Sequence, residues 1–161
     1  MWLERLLSKE WELFNKILYY FAPVGDLIVR IWVGKVFFMS GLAKIQSWET
    51  TVELFKYQYT VPLLPSYWAA VIGTGIELIL PVLLVLGLGR RMPAFILFIF
   101  NIVAVFSYDF LHTAEGAVGL NQHLYWGMLL MLMMLHGNGK LALDNVISWW
   151  AGSKRKPLAE R

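Results

Sequence analysis

The sequence contains no cysteine, and this absence excludes several kinds of chemistry. Without a thiolate, the chain cannot form a disulfide, bind an iron–sulfur cluster through sulfur or use a cysteine nucleophile. If the protein takes part in a redox reaction, the electrons must therefore reside on a bound cofactor or on a partner.

Charged residues are scarce as well. Asp, Glu, Lys and Arg make up 16% of the 161 residues, against about 25% in an average soluble domain. The formal net charge is +3, and most basic residues flank apolar runs instead of forming a stripe interleaved with aromatic side chains. This pattern favours contact with anionic membrane lipid and argues against a nucleic-acid partner.

Apolar residues make up 58% of the chain and occur in long runs. A helix needs roughly 20 apolar residues to cross a bilayer. The runs lie at 27–46, 67–88, 91–111 and 120–137. The sequence therefore predicts an all-α integral membrane protein built as a four-transmembrane-helix bundle.

An amphipathic segment precedes the first run. Residues 1–25 place apolar side chains on one helical face and charged side chains on the other, so they are predicted to form an interfacial helix or to pack against the cytoplasmic side of the bundle. Pro23 and Gly25 are predicted to end this helix. The bundle and a short amphipathic tail then occupy 26–151, and 152–161 form a flexible basic C-terminus.

Lysine and arginine are concentrated in the N-terminal segment, in the turn between the second and third runs, and at the C-terminus. Loops rich in Lys and Arg stay on the cytoplasmic side of a membrane. We therefore expect a multi-pass protein with both termini in the cytoplasm, which agrees with an even number of spans.

Four polar side chains interrupt the apolar runs and form a predicted buried polar layer. They are Arg30, Lys35, Glu77 and Asn101. A lone charge in the middle of a bilayer costs about 3 kcal/mol, so Glu77 is predicted to face inward and to be paired or protonated. Arg30 is the favoured partner because it shares a helical face with two glycines, and Lys35 is the second candidate. The layer either holds the helices in register or serves proton relay, quinone binding or an ion path.

A second set of polar residues is predicted at the outer face. It comprises Lys44, Tyr108, Asp109, His112 and His123, with Glu115 nearby. Imidazole and carboxylate groups can bind metals, but the spacing matches no diagnostic metal motif, so solvated loop residues are the alternative. The aromatic-rich segment between the first two runs is either an interfacial belt or a lid that binds a hydrophobic ring or a partner.

Three stretches resemble the DoxX family over residues 26–147: "RIWVGKVFFMSGLAKI", "GIELILPVLLVLGLGRR" and "HGNGKLALD". By this resemblance Arg30, Gly34, Gly41, Lys44 and Glu77 occupy the family's characteristic positions. The stretch "WETTVELFKYQYTVPLLP" resembles a branch often encoded beside multinuclear iron oxidases and small metal-responsive peptides. The resemblance implies a four-helix bacterial inner-membrane protein with a loose link to redox chemistry, because relatives include subunits associated with thiosulfate:quinone oxidoreductase.

These observations lead to one functional hypothesis and two alternatives. The hypothesis is a DoxX-like subunit that assists a redox or metal-stress pathway, binds quinone near Glu77 and Asn101, and is an accessory to an enzyme rather than an enzyme acting alone. The first alternative is a scaffold or export accessory for a redox enzyme or a periplasmic peptide. The second is a small proton-coupled transporter with Glu77 as the proton carrier. The sequence leaves open whether the protein forms a homo-oligomer.

Overall fold

The computed structural model describes residues 2–61, 63–89, 91–137 and 139–154, with side chains between residues 10 and 150. These residues form α-helices and one short 3-10 helix, which confirms the predicted all-α class. The helices are α1 Trp2–Gln46, α2 Trp48–Tyr57, α3 Ser66–Leu86, α4 Met92–Ser107, the 3-10 helix Asp109–His112, α5 Ala117–His136 and α6 Leu143–Lys154. Residues 155–161, most of the predicted flexible C-terminus, lie outside the described ranges.

Helix α1 is continuous over 45 residues and contains Pro23. The prediction that Pro23 and Gly25 end the N-terminal helix is therefore wrong. A proline removes one backbone hydrogen bond and can leave a helix bent but unbroken, and the segments on both sides of Pro23 are helical here. From Glu10 to Ala22 every side chain is exposed, so this half of α1 contributes nothing to the core.

The second half of α1 packs with α3, α4 and α5 around a shared apolar core. Helix α1 contacts α3 and α5, and α4 contacts the same two helices. The buried core residues are Val33, Phe37, Leu84, Ala94, Leu97 and Leu130. Each of the four predicted apolar runs coincides with one of these helices. Within the described ranges, α3 is long and apolar enough to cross a membrane, and α4 is an apolar helix of 16 residues.

Two glycines bring α1 and α3 into close contact. A Cβ atom built at Gly41 would lie 2.9 Å from Cβ of Glu77, and one built at Gly34 would lie 2.6 Å from Cγ2 of Val85. Only glycine permits such an approach without displacement of the neighbouring helix. The two contacts also fix the antiparallel register, in which Gly41 faces Glu77.

One end of the bundle, called the inner end because the predicted orientation places it on the cytoplasmic side, is closed around Arg30. Its guanidinium is buried and donates from Nη2 to the carbonyl of Leu141 (3.3 Å) and from Nε to the carbonyl of Asp26 (3.4 Å). Gly87 ends α3 with a φ of 68°, and a Cβ there would meet both Arg30 and Ala142. Arg30 therefore joins α1 to the end of α3 and to the segment before α6.

Candidate ligand-binding cavity

A cavity of about 300 Å³ lies among the helices, next to the seam between α1 and α3. Its walls are largely apolar and come from α3 and α4. They include Ile72, Ile76, Ile96, Ile99, Phe100 and Val103. The polar side chains that line it are Ser40, Lys44, Tyr59, Glu77, Ser107, Tyr108 and His123. The cavity therefore combines an apolar body with polar groups from several helices.

Glu77 forms an ion pair with Lys44. Nζ of Lys44 donates to Oε1 of Glu77 at 2.8 Å, to Oε2 at 2.5 Å and to Oγ of Ser40 at 2.9 Å. Ser40 in turn donates to Oε1 of Glu77 at 3.1 Å. The Glu77 side chain is 7% exposed and that of Lys44 is 20% exposed. Three acceptors for the three ammonium protons make this a fully satisfied buried pair.

The prediction that Arg30 pairs with Glu77 is wrong. In the antiparallel register Arg30 lies beside Gly87, and Gly87 is about 15 Å from Glu77 along the axis of α3. Lys44 lies one turn beyond Gly41, so its side chain reaches back to the carboxylate. Lys35, the second candidate, is exposed on the outer surface of α1 and does not enter the polar layer.

Asn101 and His123 join α4 to α5. Nδ2 of Asn101 donates to the backbone carbonyl of His123 at 3.0 Å, which orients the amide, and Oδ1 lies 2.8 Å from Nδ1 of His123. Because Oδ1 can only accept, Nδ1 carries a proton. In the neutral imidazole, Nε2 is then the acceptor that a ligand in the cavity could use.

Stacked aromatic rings cover the outer end of the cavity. The ring centroids of Phe55 and Tyr59 are 4.8 Å apart, and those of Tyr59 and Tyr108 are 4.7 Å apart. A backbone hydrogen bond from Thr60 to the carbonyl of Ser107 (2.8 Å) fixes this loop to the end of α4. Burial raises the pKa of Tyr59 to about 12, with smaller contributions from Tyr108 and Glu77. The phenol therefore stays neutral and can donate a hydrogen bond.

The predicted outer cluster divides into two groups. Lys44, Tyr108 and His123 line the cavity, whereas Asp109 and His112 are exposed, and Nε2 of His112 lies 3.2 Å from the carbonyl of Val105. Across the described residues, no group of three or more His, Asp or Glu side chains is placed to hold a metal ion.

Three polar cavity residues, Ser40, Tyr59 and Ser107, were absent from the sequence-based site, although Tyr59 lies in the aromatic-rich segment noted there. Ser40 lies four residues before Lys44 on the same face of α1, so its position could have been deduced from helical spacing. No pattern in the sequence pointed to Ser107. Its Oγ is buried without a hydrogen-bond partner in the described part of the chain, and this unsatisfied hydroxyl lines the cavity.

The chain is thus an all-α helical bundle with a glycine-lined contact between α1 and α3 and a buried Lys–Glu pair. It is a member of the DoxX family, whose sequence model matches residues 25–109.

Three relatives agree with this assignment. An uncharacterized protein of Haemophilus influenzae is 32% identical over 132 residues, covering 78% of this chain and 85% of the relative. The Bacillus subtilis protein named "Putative oxidoreductase CatD" is 33% identical over 75% of this chain and 85% of its own length. The Escherichia coli protein named "Inner membrane protein YphA" is 31% identical over 76% of this chain and 89% of its own length. No solved structure gives a significant match.

Proposed function

We propose that this protein is a multi-pass subunit of the bacterial inner membrane that binds the ring of a quinone in the cavity beside Lys44 and Glu77. It would assist a redox or metal-stress pathway whose catalytic partner supplies the electrons. The names of the Escherichia coli and Bacillus subtilis relatives support a membrane location and a redox context.

The outer surface of the bundle supports residence in a bilayer. Large apolar side chains are exposed on the outward-facing sides of α3, α4 and α5. Examples are Ile79, Phe95, Phe106, Met128 and Leu135. In water a continuous apolar surface of this size would be unfavourable, whereas acyl chains would cover it without cost. With α1, α3, α4 and α5 as spans, both termini would lie on the same side of the membrane, and the Lys and Arg residues of the terminal segments favour the cytoplasmic side.

The composition of the cavity is the observation that carries the quinone proposal. A quinone has a flat apolar body and oxygen atoms at opposite edges. The cavity offers apolar walls to the body, the Lys44–Glu77 pair on the α1–α3 side and His123 on the α5 side. The free hydroxyl of Ser107 adds a donor that a carbonyl oxygen would satisfy.

The chain's own residues have distinct parts in this binding. The Lys44–Glu77 pair would offer a polar edge to one oxygen of the ring. Nε2 of His123 would accept a hydrogen bond from a hydroxyl, which the reduced ring carries and the oxidised ring lacks. Because the chain has no cysteine, it stores no electrons on sulfur, and its part is to bind and orient the ring.

The aromatic segment between α1 and α3 supports ring binding better than it supports docking of a partner peptide. Phe55 of α2 is buried against Ala69 and Ala70 of α3, and it lines the cavity. This segment is therefore used to close the bundle, and its buried rings are not free to contact a partner.

A matched pair of substitutions tests the proposal. Gly73 lines the cavity, and a Cβ there would contact Phe55 and Phe100 at 3.6 Å, whereas a Cβ at Gly75 meets nothing within 4 Å. Both glycines lie on α3. Protein purified from bacterial membranes in mild detergent is extracted with organic solvent, and its quinone is quantified by mass spectrometry.

We expect stoichiometric quinone in the wild type and in Gly75→Leu, and loss of quinone in Gly73→Leu. Ser40→Ala, which removes a hydroxyl from the polar end without adding volume, is expected to reduce the bound amount. A wild-type protein that carries no quinone, and takes up none when quinone is added to the micelles, would rule the proposal out.

A further inference from the structure

The wall of the cavity is thin on the side of the bundle, between α3 and α4. Ile72, Ile99 and Val103 line the cavity, and the same residues are 45%, 43% and 37% exposed on the outer surface. A side chain that lines an interior space and also reaches the outside marks a place where the wall is one side chain thick.

The register of α3 and α4 places these residues at one level. A Cβ at Gly73 would lie 3.6 Å from Phe100, so the two antiparallel helices pair Gly73 with Phe100. Ile72 is the neighbour of Gly73, and Ile99 and Val103 lie within one turn of Phe100. The three side chains therefore surround one thin place in the seam, between the level of Glu77 and the level of the aromatic rings at the outer end.

The other routes into the cavity are obstructed. The stacked rings of Phe55, Tyr59 and Tyr108 cover its outer end, and the backbone hydrogen bond between Thr60 and Ser107 holds the covering segment in place. At the inner end, the core residues Leu84 and Leu97 separate it from the segment around Arg30. A ligand thus meets least resistance between α3 and α4.

We infer that this thin place, flanked by Ile72, Ile99 and Val103, is a lateral portal that opens to the lipid and holds the hydrocarbon tail of the ligand while the ring is bound in the cavity. This inference rests on the proposed function and specifies its ligand class. The ligand is a lipid-soluble ring with an isoprenoid or alkyl tail, because a portal with three aliphatic walls stabilises a chain of methylene and methyl groups and offers nothing to a polar substituent.

Two probes and two variants test the portal. The probes are the ubiquinone ring without a side chain and ubiquinone carrying two isoprene units. The variants are Ile72→Trp, which fills the portal, and Ile79→Trp, a matched change on the same helix at a residue that is 62% exposed and does not line the cavity. Binding is measured by gel filtration in micelles that contain the probe at a fixed mole fraction, with elution volume and thermal midpoint as checks on folding.

We expect Ile72→Trp to bind the tailed probe roughly tenfold more weakly than the wild type, as a blocked apolar site would, and to bind the tailless ring as before. Ile79→Trp should bind both as the wild type does. The portal is disproved if Ile72→Trp binds both probes normally, if it loses both equally, or if Ile79→Trp has the same effect. If the wild type binds neither probe, the proposed function itself is wrong. Failure of the portal and failure of the proposed function are therefore distinguishable.

Discussion

Lys44 reaches Glu77 across the seam between α1 and α3 because Gly41, one turn earlier in α1, brings the two backbones together. The charge pair and the glycine contact are therefore one structural unit. Loss of either should disturb the other, and the first two predictions follow from this dependence.

Replacement of Lys44 by Met should destabilise the protein by about 3 kcal/mol, because it strands a buried carboxylate. Glu77→Gln should cost less, since the Lys44 side chain is partly exposed and can turn toward the cavity. Thermal unfolding in detergent measures both. Lys35→Met removes the same charge from an exposed position and should change stability by less than about 0.5 kcal/mol. Equal losses for Lys44→Met and Lys35→Met would contradict the pairing.

Gly41→Ala should lower the thermal midpoint, because the added methyl group would overlap Glu77 and Leu78. Overpacking of this kind costs about 1–3 kcal/mol. Gly75→Ala is the control, since a Cβ there meets nothing within 4 Å, and alanine stabilises a helix by up to about 1 kcal/mol relative to glycine. If both alanine variants shift the midpoint in the same direction, the close contact between α1 and α3 is not present.

Asn101→Leu should destabilise the contact between α4 and α5 by about 1–3 kcal/mol, because it leaves Nδ1 of His123 without its partner and removes the hydrogen bond to the His123 carbonyl. Asn101→Asp keeps an acceptor for Nδ1 and should restore part of that stability. The measurement is the thermal midpoint in detergent. An unchanged midpoint for Asn101→Leu would show that the two helices do not depend on this pair.

The phenol of Tyr59 should titrate well above an ordinary tyrosine, with its pKa near the value of about 12 that burial imposes. Its ordinary pKa is about 10. The neutral form is favoured in the folded protein, so the stabilisation is complete below pH 10 and is lost as the pH rises toward 12. Absorbance of phenolate during an alkaline titration measures this. Tyr59→Phe should remove this high-pH step from the titration, whereas Tyr57→Phe, at an exposed ring, should leave it in place.

Single cysteines test the topology, because the natural sequence contains none that would react. Lys16 and Lys140 are predicted on the cytoplasmic side, and Glu115 on the outer side; all three side chains are exposed. A membrane-impermeant maleimide applied to intact spheroplasts should label only Glu115→Cys, and all three variants should react after lysis. Labelling of Lys16→Cys in intact cells would overturn the proposed orientation.

The sequence was sufficient to predict the helical class and the face of α1 that packs on α3. Periodicity places Arg30, Gly41 and Lys44 on one stripe, and the structure confirms that this stripe faces α3. Which cation meets Glu77 depends on the axial offset between the two helices. That offset depends on which residues of α3 the two glycines of α1 contact, and it becomes visible only when both helices are placed.

His123 was predicted in the outer-face cluster, at the entrance of the fourth apolar run. In the structure α5 begins at Ala117, so His123 lies within the helix and meets Asn101. The signal for this contact is the pairing of two polar groups from separate runs, which becomes visible only when both helices are placed. The prediction at Pro23 was wrong for a related reason. A helix-breaking residue does not show whether the helical segments on its two sides continue as one helix.

The hydrogen bond from Arg30 to Leu141 gives the segment after α5 a structural role at the inner end of the bundle. A fusion partner or epitope can accordingly follow α6. Truncation before residue 139 would expose the guanidinium of Arg30 and remove Ala142 from its contact with the end of α3. Because the backbone N–H of Asp144 donates to the carbonyl of Gly87 (3.3 Å), displacement of α6 would also disturb the end of the helix that carries Glu77.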